Sequence, residues 1–297
     1  MKSKAKVINI GSINIDNVYS VEHIVEPGET IASSKMDSFI GGKGANQSVA
    51  IARAGGEVFH VGKVGQDGIH ARDFLKTCGV NTDFIDVDTC GVPTGHAVIQ
   101  LDAKAENSII LFQGCNHQLD KDNVKKAIQK MNCGDIMVLQ NEVNDIIQWI
   151  NFGHKAGLRI CFNPAPCELS VKDYPLHLLE WLILNETEAC ILSGVKEKDE
   201  IIKSLTKQYP STKIILTLGS KGACLITHDQ LIEHPVQKVK VLDTVAAGDT
   251  FAGYFIAGII DGLNEEEALV RANHAAAICV GRSGAAQAIP TIAELGC

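Results

Sequence analysis

The sequence predicts an α/β fold: a doubly wound, mainly parallel sheet flanked by helices, with a small β-sheet lid. Short apolar runs at 135–139, 158–162, 181–184 and 213–218 alternate with helical stretches, which is typical of parallel strands buried on both faces. Polar residues follow each run directly, as they do where strand ends form a binding crevice. Residues 95–102 alternate apolar and polar side chains outside this pattern, as a half-exposed strand does.

Length and composition indicate the number of domains and exclude several kinds of partner. The 297 residues are enough for one large core, and neither a shift in composition nor an internal repeat marks a second large domain, so we expect a single domain over 1–297. The net charge of −8 and the lack of a basic cluster argue against nucleic acid and membrane as partners. No apolar run approaches the ~20 residues that span a bilayer. Ten cysteines without Cys-x-x-Cys or zinc spacing predict reduced, mostly buried thiols in a cytoplasmic protein.

The first predicted strand, residues 7–10, leads into Asn14 and Asp16. Ligands of open α/β sheets bind just beyond the carboxyl ends of strands. Alternation along an extended chain places both side chains on one face, where an amide and a carboxylate can hold neighbouring sugar hydroxyls. The alternative is that both residues only shape a turn.

Four further strands fall outside the main alternation, at about 13–20, 34–40, 95–102 and 107–113. A polar turn between the last two predicts that they pair with each other. A small separate sheet of this kind is expected to form a lid over a cleft, and its exposed face is a natural surface for a homodimer.

The stretch 41–47 is rich in glycine and opens a helix that runs to about Ala54. Its spacing matches neither a P-loop nor a dinucleotide-binding fingerprint. The glycines leave room for a ligand, and Lys43 and Asn46 add hydrogen-bond donors beside them.

From residue 57 the pattern is strand and helix in turn: strand 57–62, a helix from Asp67, strand 83–87 and helix 120–131. The carboxyl ends of the four central runs should meet at one edge of the sheet, which predicts one crevice there. The polar groups that follow these runs are Asn141 and Glu142, then Asn163, then Asn185 and Glu188, and last the turn 219–222.

Two interpretations of Asn185 are open. It suits the N-cap of a helix, and with Glu188 three positions later it also suits the surroundings of a hydrated Mg²⁺, which takes few direct protein ligands. The loop 217–222 would then lie against a nucleotide. The last helix is predicted to begin at Asn264, followed by three glutamates, and to carry Asn273 on its flank.

The stretch 243–251 combines small residues, an acid and the start of an apolar helix. Free N–H groups at a helix start bind anions, and Ala246, Ala247 and Gly248 carry no bulk that would block a phosphate. We expect Gly248 to provide the sharp entry into the helix. Asp249 in the first turn would orient an attacking hydroxyl, which suits phosphoryl transfer. The alternative is a capped helix after a turn.

With these motifs together, the chain resembles the PfkB carbohydrate kinase family over nearly its whole length. The two specific motifs are 41–47 and 243–251, supported by 14–16, 28–30 and 62–67. The resemblance implies ATP-dependent phosphorylation of D-ribose at its 5-hydroxyl, giving D-ribose 5-phosphate and ADP. It also implies Mg²⁺ with the ATP and K⁺ as a monovalent activator.

The resemblance implies roles for individual residues as well. Asp249 would be the catalytic base beside an anion hole formed by Ala246, Ala247 and Gly248. The sugar would contact Asn14, Asp16, Gly42, Lys43, Asn46, Glu142 and Asp249. The nucleotide would contact Asn185, Thr217, Leu218, Gly219, Ser220, Lys221, Gly222, Gly248 and Asn273, with Glu188 holding Mg²⁺ through water. The monovalent cation would use Asp243, Val245, Cys279, Arg282, Gly284 and Ala288, mostly through carbonyl oxygens; family members often carry serine at the last position, so alanine removes that hydroxyl.

Three alternatives are left open. A sibling kinase could act on a nucleoside, fructose or another sugar, although the turn that contains Lys43 favours ribose. A non-catalytic sugar-binding regulator is opposed by Asp249 and the intact motif before it. A dinucleotide-dependent dehydrogenase fits the α/β alternation, but no Gly-x-Gly-x-x-Gly follows the first strand.

Overall fold

The structure is a computed structural model that describes residues 4–104, 106–237 and 239–296. Its strands are β1 (Val7–Ile10), β2 (Asn14–Ser20), β3 (Lys35–Gly41), β4 (Val58–Val64), β5 (Asn81–Val87), β6 (Gly95–Leu101), β7 (Asn107–Phe112), β8 (Ile136–Gln140), β9 (Arg159–Asn163), β10 (Trp181–Asn185), β11 (Lys213–Thr217), β12 (Ala223–Ile226) and β13 (Leu231–His234). Its helices are α1 (Lys43–Arg53), α2 (Ile69–Thr77), α3 (Lys121–Ile128), α4 (Ile146–Lys155), α5 (Glu186–Ser193), α6 (Lys198–Gln208), α7 (Ala247–Ile260) and α8 (Glu265–Cys279).

The central sheet has nine strands in the order β13-β12-β11-β10-β9-β8-β1-β4-β5. All neighbours from β5 to β11 pair in parallel, which confirms the predicted sheet. The hairpin of β12 and β13 at one edge is antiparallel and was not predicted. Each of its strands has only four residues, too few to show a clear period.

Helices cover both faces of this sheet, as expected for a doubly wound fold. Successive residues of each strand point to opposite faces, so Val7 joins one hydrophobic core and Ile8 the other. The first core lies against α1, α2, α7 and α8, and the second against α3, α4, α5 and α6. Asn185 and Asn264 each form a capping box at the start of α5 and α8, which confirms both predicted N-caps.

The lid is a separate four-stranded sheet in the order β3-β2-β6-β7. Its strands lie within one residue of the predicted bounds. β2 pairs with β3 and β7 with β6 in antiparallel fashion, while β2 and β6 are parallel. Because β1 leads almost directly into β2, the lid stands over the carboxyl edge of the central sheet.

Among the described residues, no helix combines the length and apolar character needed to cross a membrane. The nine described cysteines are free thiols, but only four are buried, so the expectation of mostly buried thiols was wrong. Cys90 and Cys133 are exposed because they lie in surface turns between elements rather than in apolar runs.

Candidate active site

Two adjoining cavities lie at the carboxyl edge of the central sheet. One, of about 430 Å³, lies beneath the lid, and the other, of about 580 Å³, lies beside α8. Both are lined by Thr217, Thr244 and Gly248. Ligands in the two cavities would therefore meet at the N-terminal end of α7.

The cavity beneath the lid has a polar floor and an apolar cover. Its cover comes from β6 and β7, which contribute Ala97, Ile99, Ile109 and Leu111. An apolar cover over hydrogen-bonding groups suits a small polyol, because apolar side chains can pack against its carbon atoms while the floor takes up its hydroxyl groups. The floor contains every residue expected to contact the sugar: Asn14, Asp16, Gly42, Lys43, Asn46, Glu142 and Asp249.

Asp249 lies in the first turn of α7, and only 8% of its surface is exposed. Its Oδ2 accepts a hydrogen bond from Asn46 Nδ2 at 2.9 Å, and its Oδ1 accepts one from Gln47 Nε2 at 3.0 Å. Both amides belong to α1. Asn46 Oδ1 is buried and has no partner in the described part of the chain, which leaves one acceptor at this cavity for a ligand hydroxyl.

The entry into α7 differs from the expectation for Gly248. Ala246, the N-cap, adopts the left-handed conformation at φ 59°, and Gly248 does not. A Cβ on Gly248 would meet nothing within 4 Å, so this glycine leaves space between the two cavities rather than making the turn. Of the three residues expected to form the anion hole, Ala246 and Gly248 have N–H groups without an acceptor among the described residues, as an anion site requires, whereas the N–H of Ala247 donates to the Thr244 carbonyl at 3.3 Å. The N–H of Asp249 also has no acceptor in this part of the chain.

The carboxylates of this cavity outnumber its cations. Burial raises the pKa of Asp16 to about 6, and repulsion by Glu142 adds to the rise. Burial also raises the pKa of Glu142 and Glu188. Burial opposes the charge of Lys43, yet attraction by Asp249 and the other carboxylates raises the pKa of that ammonium group. Lys43 Nζ lies 3.9 Å from Glu142 Oε1.

Ser12 and Asn116, which no sequence motif marked as part of the site, hold the floor in place. Glu142 accepts hydrogen bonds from the hydroxyl of Ser12 and, at 3.0 Å, from the N–H of Lys43. Asn116 Nδ2 donates to Asn14 Oδ1 at 2.7 Å. Asn116 lies in a 3₁₀ turn about a hundred residues away, where no periodic pattern marks it. A Cβ on Gly41 would lie 1.9 Å from Asp16 Oδ2, which explains a glycine at that position.

The second cavity contains part of the set expected for the nucleotide. Its walls are mainly apolar and include Val236, Val239 and Val241, for which the sequence predicts no role. The expected residues that line it are Thr217, Gly219, Ser220, Gly222, Gly248 and Asn273. Two others line neither cavity, because Leu218 packs into the core and Lys221 points to solvent.

Asn185 and Glu188 line the cavity beneath the lid rather than the apolar one. In their capping box Glu188 Oε2 accepts from the N–H of Asn185 at 2.9 Å, and Asn185 Oδ1 accepts from the N–H of Glu188 at 2.8 Å. The second carboxylate oxygen of Glu188 is not used by the cap. The N-cap interpretation is therefore confirmed, and it leaves an oxygen ligand of the type that Mg²⁺ prefers.

The segments expected to hold a monovalent cation meet behind the anion site. Asp243 accepts hydrogen bonds from the N–H groups of Val245 at 2.9 Å and Gly284 at 3.2 Å, and Cys279 Sγ lies 3.9 Å from the Val245 carbonyl. The Arg282 side chain turns to Glu294 instead, and Ala288 is buried in a 3₁₀ turn. The Asp243 carboxylate and the Val245 carbonyl are oxygen ligands of the kind that hard cations take in proteins.

Comparison with known proteins matches residues 4–292 to the model of the pfkB family carbohydrate kinases. The chain belongs to the pfkB family of carbohydrate kinases. A ribokinase of Haemophilus influenzae is 33% identical over 96% of this chain and 95% of its own length. A deoxyribokinase of Salmonella typhi is 31% identical over 96% and 95%. The structure of Arabidopsis thaliana ribokinase, complexed with ribose and ATP, superimposes with a TM-score of 0.87 at 28% identity, covering 99% of this chain and 98% of that one.

Proposed function

We propose that this protein transfers the γ-phosphoryl group of ATP to the 5-hydroxyl of D-ribose. The observation that carries the proposal is the position of Asp249 and the free N–H groups of α7 where a polar cavity and an apolar cavity meet. Ribokinases among the relatives of this chain support ribose as the sugar.

In this reaction ribose occupies the polar cavity and presents its 5-hydroxyl to Asp249. A sugar hydroxyl is a weak acid, so its proton passes to the Asp249 carboxylate late, as the bond from O5 to the γ-phosphorus forms. The bond from that phosphorus to the oxygen that bridges it to the β-phosphate breaks, and ADP keeps the electron pair. The N–H groups at the start of α7 stabilise the charge on the transferring phosphoryl oxygens.

The apolar cavity suits the base of the nucleotide, and Asn273 adds a polar group at its edge. The phosphates would then lead toward Gly248, where no side chain blocks them. Mg²⁺ bound with ATP supplies positive charge to the phosphates, and the oxygen of Glu188 outside its cap would hold that ion through water. Among the described residues that line the cavity beneath the lid, four carboxylates, those of Asp16, Glu142, Glu188 and Asp249, face one cation, Lys43. ATP therefore binds this site best with its charge neutralised.

We further propose that K⁺ binds between Asp243 and the segment 279–288. The Asp243 carboxylate already joins these two segments through Val245 and Gly284. A large cation there would keep residues 243–248 in the geometry that directs their N–H groups at the phosphoryl group, without touching substrate.

We also propose that the protein forms a homodimer through the lid. Residues of β7 are apolar on both faces: Ile109 and Leu111 turn toward the cavity, whereas Ile110 and Phe112 lie on the other face, and all four are exposed. A four-stranded sheet with an exposed apolar edge strand is covered most simply by a second copy of itself.

A coupled assay of ADP release tests the proposal with ribose, 2-deoxyribose, fructose, adenosine and no sugar. We expect the highest kcat/KM with ribose and almost no ADP without sugar. A higher value with 2-deoxyribose or adenosine would reassign the substrate to that sugar or nucleoside. Absence of sugar-dependent ADP release from the purified protein would refute the kinase assignment.

A further inference from the structure

We propose that Gln47 is a positioning residue that fixes the Asp249 carboxylate for proton transfer; this inference rests on the proposed function. Gln47 is fully buried and lines neither cavity, so it touches neither sugar nor nucleotide. Its Nε2 nevertheless lies 3.0 Å from Asp249 Oδ1. Asn46 holds the other oxygen but also lines the cavity beneath the lid, so of these two amides on Asp249 only Gln47 lies outside both cavities.

The amide of Gln47 has one workable orientation. Its two N–H groups donate to Asp249 Oδ1 and, at 3.3 Å, to Asn163 Oδ1, while its Oε1 accepts from Gln140 Nε2 at 2.7 Å. Turning the amide over would set its oxygen against the Asp249 carboxylate and its NH₂ against that of Gln140. The first change would place two acceptors together and the second two donors, in a buried site where unpaired polar groups are costly.

The orientation of Gln140 is fixed in turn by Asn9 of β1. Gln140 Nε2 also donates to Asn9 Oδ1 at 3.0 Å, and Asn9 Nδ2 donates to Ser48 Oγ at 2.9 Å. Ser48 Oγ lies 2.8 Å from His60 Nδ1, whose other nitrogen lies 3.2 Å from the Gly11 carbonyl. A carbonyl only accepts, so that nitrogen carries the proton and Nδ1 accepts from Ser48.

Burial keeps His60 neutral, with its pKa lowered to about 4. The series from His60 to Gln47 therefore keeps one set of donors and acceptors throughout the neutral pH range. It connects the carboxylate on α7 to side chains of β1, β4 and β8, three neighbouring interior strands of the central sheet. Two amides on two oxygens hold the plane of the Asp249 carboxylate, and each oxygen retains a lone pair for the substrate hydroxyl.

A double-mutant cycle between Gln47→Met and Asp249→Asn tests this inference. Methionine keeps the length of the side chain and removes the donors. We expect Gln47→Met to lower kcat about tenfold and to leave the KM for ribose and for ATP within about twofold, since a misplaced catalytic group costs rate rather than binding. In the Asp249→Asn background the same change should alter kcat by less than about twofold, because the group it positions is gone.

The matched control is Thr212→Val. It removes buried hydrogen bonds to the Leu176 and Leu179 carbonyls at the amino end of β11, away from the cavities at the carboxyl edge of the sheet. Any effect of this variant on kcat should be equal in both backgrounds. An equal loss from Gln47→Met in both backgrounds, or a loss confined to KM, would overturn the inference.

Gln140→Met is the second variant, and it keeps the test valid if Gln47→Met does not fold. Among the described residues, Gln140 makes no hydrogen bond to Asp249 and is linked to it through Gln47, so we expect a smaller loss of kcat with the same dependence on Asp249. A loss that persists in Asp249→Asn would overturn the inference here too. If the wild-type protein releases no ADP with ribose, the proposed function fails, and the cycle is run with the sugar that does support release.

Discussion

Replacing Asp16 by asparagine should stabilise the ligand-free protein while weakening its affinity for sugar. The Asp16 carboxylate lies in the cavity beneath the lid, where burial and the repulsion of Glu142 raise its pKa from 3.8 to about 6. A raised pKa means that the folded protein holds this proton more tightly than the unfolded chain. The ionised form that dominates at neutral pH is therefore the less stable one, and asparagine removes its charge.

The size of the effect follows from linkage between protonation and folding. One pKa unit corresponds to about 1.4 kcal/mol, so a rise from 3.8 to about 6 makes the charge cost about 3 kcal/mol at neutral pH. The penalty is absent well below pH 3.8, grows as the pH rises toward 6, and stays constant above that. Because water reaches the open cavity, we take about 3 kcal/mol as the upper limit for Asp16→Asn at pH 7.5.

Urea unfolding at pH 7.5 and at pH 4 measures both the size and the sign. We expect Asp16→Asn to raise the free energy of unfolding by about 2–3 kcal/mol at pH 7.5 and by well under 1 kcal/mol at pH 4. The control Asp83→Asn, an exposed carboxylate on β5, should change it by at most about 0.5 kcal/mol at either pH. Equal stability of Asp16→Asn and wild type at pH 7.5, or an equal gain at both pH values, would refute the reasoning.

Four further predictions concern catalysis and assembly. Asp249→Asn should lower kcat by about a hundredfold or more and leave ribose binding measurable by calorimetry; near-normal turnover would remove Asp249 from the role of base. Asp16→Asn should raise the KM for ribose far more than that for ATP, because sugar hydroxyls lose a charged acceptor and meet an NH₂ donor where one carboxylate oxygen stood. At fixed ionic strength and saturating Mg²⁺, K⁺ should support several-fold higher activity than Na⁺, and equal rates in both would count against the cation site. Sedimentation at micromolar concentration should show a dimer, and a monomer would contradict the lid interface.

The fold could be predicted because each strand of the parallel sheet shows its pattern within a few consecutive residues. The runs 135–139 and 213–218 are short, apolar and bounded by polar residues, so strand, burial and parallel pairing could all be inferred from them. The edge hairpin of β12 and β13 was not predicted, because strands of four residues are too short to establish a period. Pairing of β2 with β6 also needed the structure, since many residues separate the two strands.

The site was less predictable, because its residues act in pairs that lie far apart in the chain. Asp249 could be picked out by its place at a helix start, but the amides that hold it are some two hundred residues away on α1. The sharp entry into α7 was expected at Gly248, but Ala246 makes it in the left-handed conformation. A glycine there would be the simple choice, yet an alanine has fewer conformations to lose, and the surrounding segment holds it in place.

The two motifs form one site because α1 and α7 approach each other closely. A Cβ on Gly253 of α7 would lie 2.3 Å from the Ala50 Cβ and 2.9 Å from the Gln47 carbonyl oxygen, both on α1. Neither atom could move without shifting the whole of α1, so any larger side chain at 253 would separate the helices. Their separation would draw the amides of Asn46 and Gln47 away from Asp249, since 2.9 and 3.0 Å leave little slack in a hydrogen bond. Gly253 and Ala50 therefore allow the close contact that brings the two amides to Asp249, although both residues lie outside the two cavities.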